Sequence, residues 1–448
     1  MAISKIVLNN TTQIDLTDTT AVASDVATGK YFYGADGVKI TGTASGSGYV
    51  EPEPLDVDFI DYDGTLLHTY TVDDFLALSE LPNNPTHDGL VSQGWNWSLA
   101  DAKEYVAEYG SLVVGQNYIT DDGKTRVYIS LGANDTRLSK SVTVSIYAID
   151  TAVITIDWGD ETSTNKSSVG QQYITHNYAE YGDYIISIDI QCEGTLLLGY
   201  WGSNTSFVTG NIVRKIEIGA NVTGTMSKCF RDMYDLESVS IPTTCVEYAS
   251  RSEGNAPVFV NNYKMRGIVI PNGCAELGMG SISFITSAAN MPLKYLSLPK
   301  SLTSIGIRNS FSNMVRLRKL TLPELVTDTS SSNFFDSLYH ASHLVMPKSS
   351  KIVAGGAFTY IYNVRKLIIP ETVTEIKGNY GLAFPYSMQE LRCLPITPPT
   401  LGHNRFINYL PSDCIIYVPY SEDHSILEAY KTATNWSVGA SKMQEEEP

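Results

Sequence analysis

Leu320-Thr-Leu-Pro323 is one of eight copies of a phrase, apolar–any–apolar–proline, that recurs through the second half of this 448-residue chain. The other copies are Val239-Ser-Ile-Pro242, Ile268-Val-Ile-Pro271, Leu296-Ser-Leu-Pro299, Leu344-Val-Met-Pro347, Leu367-Ile-Ile-Pro370, Arg392-Cys-Leu-Pro395 and Ile416-Tyr-Val-Pro419. Successive prolines are 29, 28, 24, 24, 23, 25 and 24 residues apart, and an earlier copy, Ile216-Glu-Ile-Gly219, ends in glycine. The steady spacing indicates that one small structural unit is repeated.

A second mark keeps the same register. An aromatic residue precedes the proline by 12 residues in five units, by 11 in one and by 13 in another; these residues are Phe230, Phe259, Phe311, Phe335, Phe358, Phe384 and Phe406. A period in the twenties is typical of a leucine-rich-repeat solenoid, in which no unit can bury its apolar face alone. We expect each unit to add one strand to a parallel sheet, ended by a proline that cannot donate the next ladder bond. The alternative is an ordinary β-domain with chance periodicity.

The repeat resembles the BspA-type leucine-rich repeats of bacterial surface proteins over residues 196–419. The long units ending at Pro271 and Pro299 depart from the period, which predicts loop insertions. Residues 420–438 resemble the usual cap of such arrays, and we expect Leu427, Tyr430 and Trp436 to cover the last turn. Residues 439–448 are predicted to be an acidic tail.

The first 43 residues predict a small β-module. Apolar residues alternate around Ile6 and Ile14, and Asp36-Gly37 predicts a hairpin between residues 31–33 and 38–40. The phrase from Asp25-Val-Ala to Ile40-Thr-Gly-Thr43 is similar to N-terminal modules of minor tail proteins in phages of Gram-positive gut bacteria. That resemblance implies a virion-attachment module, and Gly, Ser and Pro in residues 44–54 indicate a linker.

Residues 55–112 predict a mixed module. Strands are expected at 57–62 and 66–70 around Asp63-Gly64, and helices at Val72–Ser79 and at 99–109 with Ser98 as N-cap. The early Asp-Gly and the late Gly94-Trp95 resemble the B-repeat β-grasp modules of internalin-type proteins.

Five alternating runs in residues 113–195 predict short strands of a β-sandwich: 126–131, 142–148, 153–158, 172–178 and 184–190. Trp158-Gly-Asp160, His176-Asn-Tyr178 and Tyr181-Gly-Asp-Tyr184 resemble a polycystic-kidney-disease-type (PKD) immunoglobulin-like domain. The expected glycine after Asp160 is Glu161. The predicted fold class is therefore mainly β and multi-domain: N-terminal β-module, β-grasp-like module, immunoglobulin-like sandwich and leucine-rich-repeat solenoid.

Composition restricts the class of function. The net charge is −17, so the chain lacks the basic footprint that nucleic-acid binding needs. No signal peptide is recognisable at Met1, and no segment approaches the roughly 20 apolar residues of a membrane span. The six cysteines contain no CxxC pair, which favours buried free thiols over disulfides or a zinc site.

Several short motifs suggest chemistry. Asp61-Tyr-Asp63-Gly-Thr65 resembles the first motif of haloacid-dehalogenase phosphatases, with Asp61 as nucleophile and Asp63 as general acid, but a hairpin turn explains the same string. Gly123-Lys-Thr125 lacks the first glycine of a phosphate loop, and His340 and His343 lack a third metal ligand. Asp121-Asp122-Gly123 fits a turn better than a Ca²⁺ site. We predict no enzyme activity, no cofactor and no metal site.

The modules together predict a phage virion structural protein, a tail fibre or receptor-binding protein, that attaches to the host surface through its repeats. We expect it to be made in the host cytoplasm without a signal peptide and to reside in the phage tail. The expected partners are other virion proteins, through the N-terminal module, and a host surface protein or glycan; a homo-oligomer stays open. The alternatives are a bacterial cell-surface adhesin and a phosphatase acting through Asp61 and Asp63.

Candidate contact residues lie in the variable half of each unit, where the chain places several of its 28 tyrosines. Tyrosine combines a large rigid face with one hydroxyl, which suits exposed binding surfaces. The predicted ligand-binding residues are Tyr339, His340, Tyr360, Tyr362, Tyr380, Tyr386 and His403.

Overall fold

The chain is known from a computed structural model, which divides it into two compact units, Met1–Pro54 and Leu55–Pro448. The structure describes residues 5–8, 11–15, 31–33, 39–41, 56–132, 140–199, 206–226, 229–249, 258–277, 293–305, 316–324, 341, 343–346, 348–353, 363–377 and 386–446. Strands dominate both units and helices are few.

The first unit contains two antiparallel hairpins. Strands β1 (Lys5–Leu8) and β2 (Thr11–Asp15) form one, and β3 (Tyr31–Tyr33) and β4 (Lys39–Thr41) form the other. Both pairs of strands were predicted from the alternating sequence. The Asp36-Gly37 turn lies outside the described residues.

The second unit begins with residues 56–120, which we call the sheet module. It has a four-stranded sheet in the order β6-β5-β8-β7 and two helices. Its elements are β5 (Asp56–Ile60), β6 (Leu66–Thr71), α1 (Val72–Ala77), β7 (Leu90–Trp95), α2 (Leu99–Tyr109) and β8 (Leu112–Thr120). The two central strands, β5 and β8, are parallel. Phe59, Phe75 and Trp97 are buried between the sheet and the helices.

Both predicted helices are present. The Ser98 hydroxyl accepts a hydrogen bond from the Asp101 backbone N–H, so α2 has the expected N-cap, and Gly110 ends it with φ +70°. Helix α1 is capped by Thr71 and stops at Ala77, two residues before the predicted end, because Leu78 is extended.

Strand β8 changes the predicted organisation. The sequence placed a boundary between residues 112 and 113, but this strand continues to Thr120. Leu112 and Val114 pack in the core of the sheet module, whereas Val113 packs against Val269 of the repeats. One face of β8 therefore packs in the core of the sheet module, and the other face packs against the repeats.

Four long antiparallel strands follow: β9 (Thr125–Leu131), β10 (Ser141–Asp157), β11 (Ser163–Asn177) and β12 (Gly182–Gln191). The runs predicted at 142–148 and 153–158 are one strand, which pairs with β11 along both halves. On its other edge, residues 153–157 pair with β12, and residues 146–148 pair with the next strand, β13 (Leu196–Leu198). The pairing shifts between Ala148 and Ala152, where the strand passes from one set of neighbours to the other.

The repeats form two series of parallel strands. The first contains the apolar-x-apolar phrase: β14 (Val213–Glu217), β17 (Ser238–Ser240), β20 (Gly267–Val269), β22 (Tyr295–Ser297), β24 (Lys319–Thr321), β25 (His343–Val345), β27 (Lys366–Ile369), β29 (Glu390–Cys393) and β31 (Ile415–Val418). The second contains β15 (Gly224–Met226), β18 (Glu247–Ala249), β21 (Glu276–Leu277), β23 (Ser304–Ile305), β26 (Ile352–Val353), β28 (Glu375–Ile376) and β30 (Thr400–Leu401). We call the first series the phrase sheet.

The antiparallel strands continue into both series. Strand β9 pairs with β14 of the phrase sheet, and β13 pairs with β15 of the second series. A single hydrophobic core extends from Val127 to Met443. Packing is therefore continuous across the predicted domain boundary between residues 195 and 196. The antiparallel region covers the first turn of the solenoid, which would otherwise expose its apolar core.

The repeat register follows the predicted phrase. Ile268 pairs with Leu296, and Leu320 pairs with Leu344, so equivalent apolar residues stack through the core. Two further short strands, β16 (Phe230–Arg231) and β19 (Phe259–Val260), bring the buried rings of Phe230 and Phe259 together at 5.0 Å between centroids. Phe406 is buried, and Phe311, Phe335, Phe358 and Phe384 lie outside the described residues.

One phrase was assigned one residue late. The sequence suggested Arg392-Cys-Leu-Pro395, but Leu367 pairs with Leu391 and Ile369 pairs with Cys393. The core positions are therefore Leu391 and Cys393, and the extra residue, Leu394, follows the strand. This insertion explains why Pro395 lies 25 residues after Pro370.

The C-terminal cap is made by α3 (Arg405–Tyr409), α4 (Ser425–Thr432), a 3₁₀ helix (Ser437–Lys442) and β32 (Met443–Glu445). As predicted, Tyr430 and Trp436 are fully buried, and they donate to the carbonyls of Pro395 and Pro399. The predicted acidic tail is wrong for residues 439–446. Strand β32 pairs in parallel with β31, since Met443 continues the apolar stack under Ile416.

All six cysteines are free, as predicted, and five of them are buried. Burial raises the pKa of the Cys274 thiol to about 12, so it stays protonated at neutral pH. Within the described residues, no helix combines the length and apolar character needed to cross a membrane.

Candidate binding surface

The phrase sheet has one face in the core and one face outward. Residues of the phrase alternate, so the two apolar positions are buried and the middle position points away from the core. The sheet module covers this outward face over the first repeats. Ser240, Val269, Ser297 and Thr321, which are middle positions, are all buried.

Polar contacts fix the sheet module on the repeats. The Asn96 amide donates to the Ile270 carbonyl at 3.0 Å and to the Ser297 hydroxyl at 2.9 Å. The Trp97 indole N–H donates to the Leu298 carbonyl at 2.8 Å, and the Tyr105 hydroxyl donates to the Leu322 carbonyl at 2.7 Å. Three of these four bonds reach a carbonyl just before the proline that follows a repeat strand. Because the proline that follows each strand has no N–H to donate to the sheet, these carbonyls can accept hydrogen bonds from the sheet module.

A buried ion pair lies in the same interface. Lys319 Nζ is 2.7 Å from Asp58 Oδ2 and also contacts Asp56, and the lysine side chain is 2% exposed. Asp58 accepts a second bond, from the Thr69 hydroxyl. Buried charges are tolerated when they are paired and hydrogen-bonded, so this cluster specifies how the module sits.

Helix α2 makes further ion pairs at the rim. Lys300 lies 2.6 Å from Asp101, and Lys348 lies 2.7 Å from Glu108. The hydrogen bond from Lys300, together with one from Ser98, holds the pKa of Asp101 below its usual value. These two ion pairs attach α2 to the repeats along its length, the first just after β22 and the second just after β25.

Beyond α2 no described residue covers the phrase sheet, and a groove of about 290 Å³ opens between the helix end and the later repeats. Its lining combines apolar and charged side chains: Glu108, Tyr109, Leu344, Met346, Lys348, Lys366, Ile368, Pro370, Arg392, Leu394 and Glu446. The middle positions here are Ile368, Arg392 and Tyr417. They are partly exposed and larger than most of their covered counterparts.

The charges of the groove are held in place by neighbours. Arg392 pairs with Glu446 at 2.9 Å and also contacts Glu390, and its guanidinium lies 4.8 Å from the centre of the Tyr417 ring. Lys366 lies 3.2 Å from Glu390. An apolar floor with fixed charged groups at its edge is a common arrangement in ligand sites.

The predicted contact residues fall mostly outside the described part of the chain. Tyr339, His340, Tyr360, Tyr362 and Tyr380 all lie there. Tyr386 is 56% exposed and packs edge-on against Tyr409, whereas His403 is partly buried and accepts a hydrogen bond from the Arg405 N–H. Ligand binding by Tyr386 and His403 stays a prediction, and neither residue lines the groove.

The sequence reasoning missed the groove residues because it looked at the variable half of each unit. A signal was available in the phrase itself. Its middle residue is Ser240, Val269, Ser297 or Thr321 where the module covers the sheet, and Ile368, Arg392 or Tyr417 where no described residue does. A change from small to large side chains at an outward position indicates where a covered face becomes open.

The phosphatase-like string forms a turn. The Asp61 N–H donates to the Thr65 carbonyl at 2.9 Å, and Gly64 has φ +84°. Asp61 is buried with its Oδ2 atom 2.8 Å from His87 Nε2, whereas Asp63 accepts from the Thr65 N–H. In the sheet module β5 and β8 form one parallel pair and the other two strand pairs are antiparallel, whereas the phosphatase resemblance implies a parallel sheet throughout.

The acidic turn at Asp121-Asp122-Gly123 has a structural explanation. Arg126 lies 2.5 Å from Asp121 and 2.9 Å from Asp122, so a guanidinium balances the charge of this acidic turn. Across the described ranges, no three His, Cys, Asp or Glu side chains are arranged to hold a metal ion. His340 lies outside those ranges, as does the side chain of His343.

The residues that suggested a PKD-type domain come together. His176 stacks on Trp158 at 4.8 Å, its Nε2 atom lies 2.7 Å from Asp160 Oδ2, and the Tyr178 hydroxyl donates to the Trp158 carbonyl. Glu161 has φ +67°, which explains why glycine is expected at this position.

Known proteins give a direct comparison for the repeats. The family model described as "BspA type Leucine rich repeat region (6 copies)" matches residues 203–287 and 285–384. Residues 203–384 are BspA-type leucine-rich repeats. The prediction of this repeat type is thus confirmed for that stretch.

Among solved structures, a leucine-rich repeat protein from Bacteroides ovatus ATCC 8483 is similar, with 19% sequence identity and a TM-score of 0.35. The match covers 67% of this chain and 75% of that one. No curated protein matches the chain.

Proposed function

We propose that the chain is a phage virion structural protein, a tail fibre or receptor-binding protein, whose repeats attach to the bacterial host surface. The observation that carries the binding role is the groove on the uncovered part of the phrase sheet. Leucine-rich repeats present broad surfaces that suit binding to proteins or polymers. Here the sheet module closes the first part of that surface and forms one wall of what remains.

The virion role rests on the first unit. Residues 1–43 are similar to N-terminal modules of phage minor tail proteins, and Met1–Pro54 is a compact unit of its own. We propose that this unit joins other virion proteins in the tail, and that the second unit faces a host surface protein or glycan.

Cell binding is the first test. Fluorescently labelled full-length chain is mixed with a panel of Gram-positive gut bacteria, and bound fluorescence is measured by flow cytometry. Ile368→Asp places a charge on the groove floor and should abolish binding, while Val438→Asp, at a site 47% exposed outside the groove lining, should leave it unchanged. Binding that both variants retain would overturn the role of the groove.

Location is the second test. Immunogold labelling of purified virions should decorate the tail, and a chain lacking residues 1–54 should still bind cells but fail to enter virions. The alternative, a bacterial cell-surface adhesin with the same groove, predicts gold on bacterial cells that carry no phage. That result would contradict the virion assignment while leaving the binding role intact.

A further inference from the structure

A second and larger cavity, of about 500 Å³, lies where the turn between β5 and β6 meets the repeats. It is lined by Asp63, Glu237, Ser238, Tyr263, Lys264 and Arg266. Asp63 belongs to the turn of the sheet module, and the other five residues belong to two consecutive repeats. Both the sheet module and the solenoid therefore contribute to the wall of the cavity.

The turn is held tightly against the repeat. A Cβ atom added to Gly64 would lie 2.4 Å from the backbone nitrogen of Gly267, and one added to Gly267 would lie 2.3 Å from the Gly64 Cα. Two backbones can approach this closely only where both residues are glycine. The contact fixes Asp63, whose Oδ1 atom accepts from the Thr65 N–H at 2.8 Å.

The cavity carries both signs of charge. Lys264 pairs with Asp235 at 2.7 Å, and Asp235 also pairs with Arg214. Within the described residues, the side chains of Glu237 and Arg266 form no ion pair with the protein. The Arg266 guanidinium can therefore donate hydrogen bonds to a ligand, and the Glu237 carboxylate can accept them, next to the second carboxylate of Asp63.

Two tyrosines form a platform at the cavity. Tyr263 lines it and stacks on Tyr234, with ring centres 5.4 Å apart and planes inclined by 12°. The two residues are 36% and 38% exposed. Each follows the marker phenylalanine of its repeat, Phe259 or Phe230, by four positions. The repeat spacing therefore places the second ring on the first.

We infer that this cavity binds a saccharide. Sugar hydroxyls both donate and accept hydrogen bonds, so they can satisfy Asp63 and Glu237 as acceptors and Arg266 and Lys264 as donors. The apolar C–H face of a sugar ring fits the flat, half-exposed face of Tyr263. A phosphate-rich ligand fits less well, because two carboxylates line the cavity and the chain has a net charge of −17.

This inference deepens the proposed function, since it names a glycan as the class of ligand at the host surface. It depends on the binding role but not on virion attachment. It also adds a site separate from the groove, lined by none of the same residues.

The test uses the full-length chain and isothermal titration calorimetry. The probes are trisaccharides of N-acetylglucosamine, glucose, galactose and rhamnose. At least one should bind, Tyr263→Ala and Arg266→Ala should each weaken it by about ten-fold or more, and Tyr263→Phe should retain it because the ring face remains. Tyr420→Ala, at a tyrosine 43% exposed outside the cavity lining, is the matched control.

Failure of all four sugars to bind, or binding that Tyr263→Ala and Arg266→Ala leave unchanged, would overturn the inference. The proposed function fails differently. If Ile368→Asp abolishes binding to cells while the cavity variants bind them normally, the groove alone carries attachment, and the role of the cavity at the host surface is refuted even where it binds a free sugar. If the unaltered chain binds no cells but binds a sugar, attachment to the host is refuted and the cavity stands.

Discussion

Lys319 Nζ lies 2.7 Å from Asp58 Oδ2, although the lysine belongs to the repeats and the aspartate to the sheet module. The residues are 261 positions apart in the chain, and both are buried. Lys319→Ala would leave Asp58 and the neighbouring Asp56 buried without their cation. We expect the free energy of unfolding to fall by about 3–5 kcal/mol. Urea unfolding followed by tryptophan fluorescence measures this loss.

Lys351→Ala is the control, since this lysine is exposed, and its effect should stay within about 0.5 kcal/mol. An equal, small effect of both substitutions would show that the ion pair does not hold the module.

The pair of Asp101 and Lys300 predicts a dependence on pH. The hydrogen bond from Lys300 depresses the pKa of Asp101 in the folded chain, so the pair stabilises above the unfolded pKa of about 4 and the contribution is lost as the pH falls through the folded pKa. Both side chains are more than one third exposed, so solvent screening limits the contribution to less than about 1 kcal/mol. Lys300→Met should lower the melting temperature at pH 7 and have a smaller effect near pH 3. A constant difference at the two pH values would contradict the ion pair.

Gly115 predicts how closely β8 packs on the repeats. A Cβ atom there would lie 2.5 Å from both methyl carbons of Val269 and 2.9 Å from the Ser297 Cβ. Gly115→Ala should therefore cost about 1–3 kcal/mol through overpacking, and Val269→Ala in the same chain should restore part of the loss. Gly132→Ala meets no atom within 4 Å and serves as the neutral control in thermal unfolding. Equal stabilities of the two alanine variants would mean that the sheets are not in contact.

Glu161 predicts a stabilising substitution. At a φ of +67° an L-residue is strained by about 1–2 kcal/mol, whereas glycine is strained much less. Glu161→Gly should raise the unfolding free energy by up to about 1 kcal/mol. Gly159→Ala in the same turn should lower it, because a Cβ atom there would lie 2.7 Å from the Ile185 carbonyl oxygen and φ is +77°. Calorimetric melting curves of both variants check the opposite signs, and matching shifts would refute the turn geometry.

The repeats could be predicted from the sequence because their signal is local. Leu320 and Pro323 lie in one short phrase, and its period fixes which residues stack. The cap residues Tyr430 and Trp436 and the N-cap Ser98 are local signals of the same kind. Strand β32 was missed because its charged sequence, Met443-Gln-Glu445, resembles a tail, and only its pairing with β31 makes it a strand.

The docked module could not be predicted in this way. Asn96 and Ile270 are 174 positions apart, and nothing in either segment indicates the other. Both the groove and the saccharide cavity arise at that interface, so sequence reasoning placed the binding residues in the loops instead.

Zero-length carbodiimide cross-linking of the full chain, read by mass spectrometry, tests the docked arrangement most directly. The structure predicts links between Lys300 and Asp101 and between Lys348 and Glu108, whose charged atoms lie 2.6 Å and 2.7 Å apart. Lys431 and Glu428, 3.1 Å apart in one helix, report that the reagent has worked. Recovery of the helix link without either link from α2 to the repeats would contradict the docked module, and with it the groove and the cavity.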